Sequence, residues 1–459
     1  MKRTIALIAL LLLLYNSARA QGVEHLTLHD ALALGLEHNP AITATRYAEQ
    51  SAHRERQAAI GLFMPQVTLR GGYAHLNKDI SLDLNPMLAS LSPILGEGLS
   101  ALGLNLSYPL QNRNTAFLGG DVVVPIFAGG KVWTANRVAK IEYERTKEQS
   151  AQVRGRLVVE IVERYFGVEL ARRGVAICEE AVAVVGAHLH DLLILEREGM
   201  AVESERLYAE YRLAEVERDL QRARLKFDTA NKALQTSLGA EYRVVPSTPL
   251  FVLGSIETLD YFRAQALLRN PQLGEVGAVR DLAQANLRLR QAELMPEVVA
   301  MGAMNFCNYK LSPLVPRMAV GVGLNFKIFD GLRSEYRTAS ARLQLRQVEA
   351  LERKAERDIV LLVEDLYNKV EAVLATTSAV ERAEEFATEY LRAKQQAFRE
   401  GMATTTDVVD AVLNLSRVRF ERAQMAFDFD LALARLLEAS GMGESFEQYS
   451  YRPSAKLIF

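Results

Sequence analysis

Two long stretches of the chain combine helix-forming residues with an absence of the residues that end helices. Proline is absent from 126–245 and from 317–452, and glycine is absent from 333–400. Within the second stretch, apolar residues recur every three or four positions between charged ones: Ile359, Leu362, Val363, Leu366, Val370 and Val373. This pattern predicts long helices over 131–197 and 332–399, each roughly 100 Å long at 1.5 Å per residue. It also predicts returning helices over 202–238 and 403–440.

Two other segments alternate apolar with small or polar residues, which is the period of a β-strand. The clearer one predicts a hairpin over 297–328, with apolar residues at alternate positions: Met318, Val320, Val322, Leu324, Phe326 and Ile328. A second hairpin is predicted over 66–127, starting with Val67, Leu69 and Tyr73. Its register stays open, because residues 104–108 alternate as well as residues 122–124 do. Residues 84–99 are expected to form an exposed loop or a short helix at its end.

The two halves of the chain resemble each other. LEHNPAI (36–42) and LFMPQV (62–67) recur 231 residues later as LLRNPQL and ELMPEV. PIFAGG (125–130), EGMA (198–201) and LQTSLG (234–239) recur 202 residues later as KIFDGL, EGMA and LLEASG. A shared offset over separated places predicts an internal repeat. We therefore expect a first repeat over 21–255 and a second over 256–459, each with short helices, a hairpin, a long helix and a returning helix.

Four strands with an apolar face are not stable alone in water or in lipid, because their edges would leave backbone groups unpaired. They are also too few to close a membrane barrel, which needs about eight strands or more. The strands therefore predict an oligomer.

The N-terminal residues predict export. Lys2 and Arg3 precede the apolar run 5–14, and Ala18-Arg19-Ala20 is typical of a cleavage site, so residues 1–20 are interpreted as a signal peptide. The net charge of −2 gives no sign of nucleic-acid binding. We expect the two cysteines, Cys178 in a helix and Cys307 in a strand, to be isolated thiols. No catalytic, cofactor or metal motif is found, which predicts a protein that is not an enzyme.

The segment EGMATTTDVVDAVLNLSRVRFERAQMAFDFDLALARLLEASG, residues 400–441, resembles the TolC family of outer-membrane efflux and type I secretion channels. It carries that family's G-x5-D-x2-D signature as Gly401, Asp407 and Asp410. The resemblance implies a mainly α fold with membrane β: a homotrimer with a twelve-stranded β-barrel in the outer membrane, continuing into a twelve-helix periplasmic α-barrel. It also implies an equatorial band, here from residues 240–255 and the tail after Gly441.

The resemblance further implies a function and partners. The chain would be the outer-membrane exit duct of a tripartite efflux system, carrying small molecules from an inner-membrane RND or ABC transporter through a periplasmic adaptor protein. Outer-membrane lipid is a further expected partner. The alternative within the family is the outer-membrane channel of a type I protein secretion system. A periplasmic coiled-coil adaptor is an alternative from another class, which would explain the helices but not the hairpins.

The candidate site is the pair of turns at the ends of the long helices. Glycine at a helix end permits a sharp reversal, and Gly199 and Gly401 occupy equivalent places. The resemblance suggests that Gly199, Met200, Gly401 and Met402 contact the adaptor. Turn formation alone would also explain both glycines, and the two roles are compatible.

Asp407 and Asp410 lie three residues apart and therefore on one helix face. Three chains would place six carboxylates at one constriction, where they would raise one another's pKa and favour cations. We call the two glycine turns the tip. Family members in which the tip is locked closed use an arginine two residues after the second glycine and a tyrosine on the preceding helix. Here those positions hold Ala403 and Phe398, and the opposing acidic position holds Glu205. We therefore expect a tip that is held by other contacts or is closed more weakly.

Overall fold

The computed structural model describes residues 23–91, 107–310, 312 and 314–457, and it is mainly helical. In chain order the helices are α1 (Leu28–His38), α2 (Pro40–Ile60), α3 (Asn85–Leu91), α4 (Lys131–Arg197), α5 (Glu203–Leu238), α6 (Leu259–Arg269), α7 (Pro271–Ala292), α8 (Arg333–Arg399), α9 (Thr405–Ala439) and α10 (Phe446–Ser450). The strands are β1 (Val23–Leu26), β2 (Gln66–His75), β3 (Ile80–Asp83), β4 (Ser107–Gln111), β5 (Asn114–Ala128), β6 (Arg243–Pro246), β7 (Phe251–Leu253), β8 (Glu297–Tyr309), β9 (Met318–Asn325) and β10 (Ala455–Leu457).

The two long helices have the bounds that the proline and glycine pattern predicts, to within one residue. Helix α4 spans Lys131–Arg197 and α8 spans Arg333–Arg399, and each contains 67 residues. Both begin just after glycines with positive φ, at Gly130 and Gly331, and both end just before another pair, Gly199 and Gly401. Glycine tolerates this backbone region where other residues are strained, so the glycines mark where the helices start and stop.

Four strands form one antiparallel sheet in the order β2-β5-β8-β9, with β2 and β9 at its edges. The register of the first hairpin is now defined, because β2 pairs with β5 from Gln66 opposite Val123 to His75 opposite Asn114. Residues 104–108 competed for that place in the sequence; of these, residues 107 and 108 belong to β4, which pairs instead with β3, and residues 104–106 lie outside the described residues. The predicted second hairpin is too long, since β9 ends at Asn325 and Phe326 to Ile328 lie beyond it. Of the segment 84–99, residues 85–91 form α3 and 92–99 lie outside the described residues.

The sheet has two chemically different faces. Its apolar face has Val67 opposite Val122, Ala300 opposite Val322, and Val298 opposite Leu324. The other face is more polar and carries an ion pair between Arg70 on β2 and Asp121 on β5. Because side chains alternate along a strand, every second residue belongs to the same face, except across the two bulges in the pairing of β5 with β8.

The described residues fall into two compact units. The unit formed by residues 51–143 and 279–349 contains the four-stranded sheet and the adjoining parts of α2, α4, α7 and α8. The remaining residues form the other unit, in which β1 pairs with β6 and β7 pairs with β10. Residues 240–255 and the C-terminal tail, predicted to lie in one band, are thus joined by the β7–β10 pair.

The core of this second unit is aromatic: Phe166, Phe251, Phe429 and Phe446 are fully buried, with ring centroids 6.0–6.3 Å apart. Asp430 on α9 is buried in the same cluster of elements, and its Oδ2 accepts a hydrogen bond from the Phe251 backbone N–H at 3.4 Å. Burial raises the pKa of Asp430 well above its ordinary value.

Both cysteines are free thiols, Cys178 in α4 and Cys307 in β8, as the sequence predicts. Among the described residues, none of the helices is long and apolar enough to cross a membrane.

Candidate functional site

The two glycine turns have the same hydrogen-bonded geometry. At the end of α4, Gly199 N–H donates to Glu196 O at 3.0 Å and Met200 N–H donates to Leu195 O at 2.8 Å. At the end of α8, Gly401 N–H donates to Phe398 O at 3.0 Å and Met402 N–H donates to Ala397 O at 2.8 Å. Each is a Schellman motif, which requires a left-handed residue after the helix.

Backbone conformation, rather than packing, requires glycine at both turns. The φ angles are +70° at Gly199 and +72° at Gly401, and a Cβ at either position would have no atom within 4 Å. The methionines that follow are largely open to solvent, with Met200 70% and Met402 73% exposed. The turns therefore present two flexible, exposed apolar side chains, which is typical of adaptable protein contacts.

Asp407 has a structural role in its own chain. Thr404 and Asp407 form a capping box at the start of α9, in which the Thr404 backbone N–H donates to Asp407 Oδ2 at 2.9 Å and Asp407 N–H donates to Thr404 Oγ1 at 3.3 Å. Lys394 Nζ donates to Asp407 Oδ1 at 2.8 Å. The lysine and these hydrogen bonds hold the pKa of Asp407 well below its usual range. Within one chain the lysine and the cap dominate, whereas the raised pKa that the sequence predicts concerns six carboxylates from three chains.

Asp410 lies one turn further along α9 and contacts another helix. Its Oδ1 lies 3.8 Å from Arg212 Nη2 on α5, and its side chain is exposed. Asp407 therefore faces α8 and Asp410 faces α5 within one chain, although both belong to one side of α9. Each carboxylate has a basic neighbour on an adjacent helix.

The residues that replace the family's tip lock make a different contact. Phe398 on α8 packs edge-on against His188 on α4, with ring centroids 4.5 Å apart and an interplanar angle of 67°. His188 is buried, and burial lowers the pKa of its imidazole. Ala403 is half-buried in the turn, and Glu205 is half-exposed in the first turn of α5. Next to Glu205, Arg206 on α5 forms a salt bridge with Glu196 on α4, with Arg206 Nε 3.0 Å from Glu196 Oε2.

Sequence reasoning missed His188, Lys394 and Arg212 as parts of this site. His188 could have been found, because it lies between Val185 and Leu192 in the buried stripe of α4, where an unpaired polar residue is unusual. The Thr404-x-x-Asp407 spacing is likewise a recognisable capping-box signature. Nothing in the local sequence identifies Lys394 or Arg212, since their contacts join different helices.

The described part of the chain contains no group of three or more His, Cys, Asp or Glu side chains arranged to hold a metal ion. The site is thus a set of helix ends with exposed methionines, paired carboxylates and interhelical contacts.

Comparison with known proteins identifies the family. The model of the outer membrane efflux protein family matches residues 31–240 and 263–442, so the chain belongs to that family and is a protein of the outer membrane extending into the periplasm. This confirms the resemblance to the TolC family. The family consists of transport channels.

Solved structures share the fold at low sequence identity. VceC of Vibrio cholerae is 16% identical, with a TM-score of 0.70 over 90% of this chain and 96% of that one. The CmeC outer membrane channel of Campylobacter jejuni is 13% identical, with a TM-score of 0.72 over 92% and 89%. The open-state MtrE channel of Neisseria gonorrhoeae is 13% identical, with a TM-score of 0.70 over 91% and 89%. A search of curated proteins finds no match.

Proposed function

We propose that this chain is the outer-membrane exit duct of a tripartite efflux system and works as a homotrimer. In this proposal the sheet contributes four strands to a shared twelve-stranded barrel, and the long and returning helices form one third of a periplasmic tube. An inner-membrane pump of the RND or ABC type supplies the energy, and a periplasmic adaptor joins pump and duct. Small molecules then leave the cell without release into the periplasm.

The observation that carries this proposal is the open sheet. Both edge strands, β2 and β9, have a second side that pairs with no strand in the described part of the chain, while the apolar face between them is exposed. Lipid cannot satisfy the backbone groups of an edge strand, so an outer-membrane protein must pair these edges with another copy. Three copies supply twelve strands, an even number as membrane barrels of this kind have.

The turns at Gly199 and Gly401 are the proposed adaptor contact. Met200 and Met402 are exposed and follow turns of the same geometry, so an adaptor's helical hairpin would meet two similar apolar sites per chain. Asp407 and Asp410 are proposed to form the constriction, with six carboxylates in the trimer. Lys394 partly neutralises Asp407, so Asp410 would contribute more of the field that attracts cations.

A type I protein secretion channel is the second candidate, because the same duct would serve a protein cargo and the inner-membrane partner would select it. Membership of the outer membrane efflux protein family argues against the alternative of a periplasmic coiled-coil adaptor.

The proposal is tested first by the mass of the mature protein extracted from outer membranes, measured by light scattering with correction for detergent. A trimer is expected, and a monomer that is stable without detergent would contradict the shared barrel.

A strain lacking the chain should accumulate fluorescent dyes, and dye efflux should recover when the chain is returned. Normal dye efflux together with failure to release a protein cargo would favour the secretion channel instead.

The constriction is tested in planar bilayers with Asp407→Asn combined with Asp410→Asn. We expect reduced cation selectivity. The matched control is Asp358→Asn with Asp365→Asn, since those carboxylates pair with lysines on their own helix. Equal selectivity in the two double variants would exclude the ring.

A further inference from the structure

A cavity lies between three helices, α4, α8 and α9, and has a volume of about 270 Å³. Its walls are mainly apolar, with side chains contributed by all three helices: Ala183, Val184, Ala187, Phe398 and Val408. We call it the three-helix cavity. An apolar cavity of roughly 150 Å³ can hold benzene, so this one has room for a single substituted ring.

His188, which also lines the three-helix cavity, has a buried nitrogen without a hydrogen-bond partner. The residue is 7% exposed, and its Nε2 atom bonds to no group in the described part of the chain. A buried polar group that is left unpaired costs about 1–3 kcal/mol. Burial also lowers the pKa of the imidazole, so the neutral ring is favoured and Nε2 donates or accepts according to its tautomer. A bound molecule with one hydrogen-bonding group would remove this cost.

His188 and Phe398 present two aromatic surfaces to the cavity at a defined angle. Their ring centroids lie 4.5 Å apart and their planes are inclined by 67°. Phe398 is only half-buried, so part of its ring is still open to a further contact. Aromatic rings gain from edge-to-face and offset contacts beyond the area that they bury. An aromatic molecule therefore fits beside this pair better than an aliphatic one of the same size.

The charged residues that line the cavity balance each other. Asp191 on α4 and Arg399 on α8 are both exposed, and the remaining lining residues among those described are uncharged while His188 is neutral. Gln395 adds a neutral amide. With one acid and one base, the cavity favours neither an anion nor a cation. The ligand class that fits is a neutral aromatic molecule with one hydrogen-bonding group.

The internal repeat indicates that the fold does not require the polar residues of this cavity. At the offset of 202 residues, Tyr390 stands in the place of His188 and Ala393 in the place of Asp191. Both long helices nevertheless have the same length. A buried histidine with an unpaired nitrogen is thus no requirement of a helix of this kind, and it favours a role in binding.

We propose that the three-helix cavity binds a small neutral phenol. The ring packs against Phe398 and the aliphatic wall, and the hydroxyl group bonds to His188 Nε2. A hydroxyl group serves either tautomer, because it both donates and accepts. The bound molecule contacts α4, α8 and α9 together and stabilises their packing near the turns at Gly199 and Gly401. This inference goes beyond the proposed function, because the site lies between helices of one chain and its occupation does not depend on transport.

Binding is measured by fluorine NMR on the full protein in detergent, with 4-fluorophenol as the probe. Ala187→Leu fills the cavity from an exposed position of α4 and should weaken binding at least tenfold. The matched control is Ala176→Leu, which adds the same side chain at an exposed position of α4 that does not line the cavity. It should bind as the unchanged protein does. Partition of the probe into detergent is the same for both variants and cancels in the comparison.

Two related probes test the ligand class. Fluorobenzene lacks the hydroxyl group and should bind about tenfold more weakly, because the bond to His188 Nε2 is lost. 4-Fluorobenzoate carries a charge and should also bind more weakly than 4-fluorophenol. Tighter binding of 4-fluorobenzoate would overturn the neutral ligand class. Equal affinity of 4-fluorophenol for the Ala187→Leu and Ala176→Leu variants, or no saturable binding to the unchanged protein, would show that the inference is wrong.

Hydrogen exchange tests the effect on the helices. Saturating 4-fluorophenol should slow exchange in residues 395–412 several-fold in the Ala176→Leu variant but not in the Ala187→Leu variant. Unchanged exchange in the saturated control would contradict stabilisation of the three helices. None of these measurements uses trimer mass, dye efflux or ion selectivity, so failure of this site and failure of the proposed function are distinguishable.

Discussion

Lys394 Nζ lies 2.8 Å from Asp407 Oδ1, and this ion pair joins the last two turns of α8 to the first turn of α9 across the turn at Gly401. The same carboxylate caps α9 through Thr404. The Asp407 carboxylate therefore stabilises the turn at Gly401, and these contacts compete with any interaction between the carboxylate and an ion.

Lys394→Gln should therefore loosen the turn. Both side chains are partly exposed, so the pair is weak and a modest effect is expected, with the resting conductance of the purified channel rising several-fold in planar bilayers. Lys369→Gln is the control, because Lys369 pairs with Asp365 within the exposed face of α8. Equal conductance in both variants would show that the Lys394–Asp407 pair does not restrain the tip.

The capping box can be removed without changing a charge. Thr404→Ala should destabilise the start of α9 by about 1 kcal/mol, because the Asp407 N–H loses its acceptor. Hydrogen exchange in residues 404–412, followed by mass spectrometry, should become about fivefold faster. Thr27→Ala removes the equivalent box at the start of α1 and should speed exchange there but not in α9. Unchanged exchange in 404–412 would contradict a stabilising role for the box.

The packing of His188 on Phe398 should depend on pH. Burial lowers the pKa of His188 from its ordinary value of 6.5, so the neutral imidazole is favoured in the packed state. The stabilisation is complete above pH 6.5 and is lost as pH falls through the lowered pKa. Asp191 on α4 and Arg399 on α8 are the charged groups beside the same small cavity, and α9 contributes Val408. We expect resting conductance to rise as the solution is acidified below pH 6.5.

His188→Phe keeps a ring against Phe398 and should remove this acid response. His190→Gln changes the exposed histidine two residues away and should preserve it. An acid response that survives in the His188→Phe variant would assign it to other groups.

Asp430 should make the unit that contains the β1–β6 and β7–β10 pairs less stable at high pH. Because its pKa is raised, the folded state favours the protonated carboxyl, and stability is lost as pH rises through that pKa. Asp430→Asn keeps an oxygen acceptor for the Phe251 N–H and should give a flatter dependence of the unfolding temperature on pH. Asp430→Ala leaves that buried donor unpaired and should cost about 1–3 kcal/mol. Asp428→Asn, on an exposed carboxylate, is the control; if it flattens the curve equally, Asp430 is not responsible.

The bounds of the long helices could be predicted because they depend on local chemistry. Proline and glycine act at single positions, and their absence over 333–399 is visible without any tertiary contact. The register of the first hairpin could not be predicted, since residues 104–108 and 122–124 have the same alternation. Only pairing with β2 and β8 distinguishes them, and that pairing connects residues far apart in sequence.

The sequence predicts both glycine turns from the left-handed backbone that glycine permits at a helix end. It does not predict the contacts around them. The spacing of Asp407 and Asp410 indicated two acids on one face but did not reveal that each has a basic partner on a different helix. Lys394 and Arg212 are ordinary surface residues by sequence. Their importance follows from how α5, α8 and α9 are placed, which the repeat pattern alone does not determine.

The equal length of α4 and α8, 67 residues each, limits how this protein can change during evolution. A one-residue insertion in either helix would advance its turn by about 1.5 Å and rotate it by roughly 100°. Gly199 and Gly401 would then no longer present equivalent turns to the proposed adaptor. Insertions and deletions in one long helix should therefore survive only when the other changes with it, whereas the loops of the hairpins can vary independently.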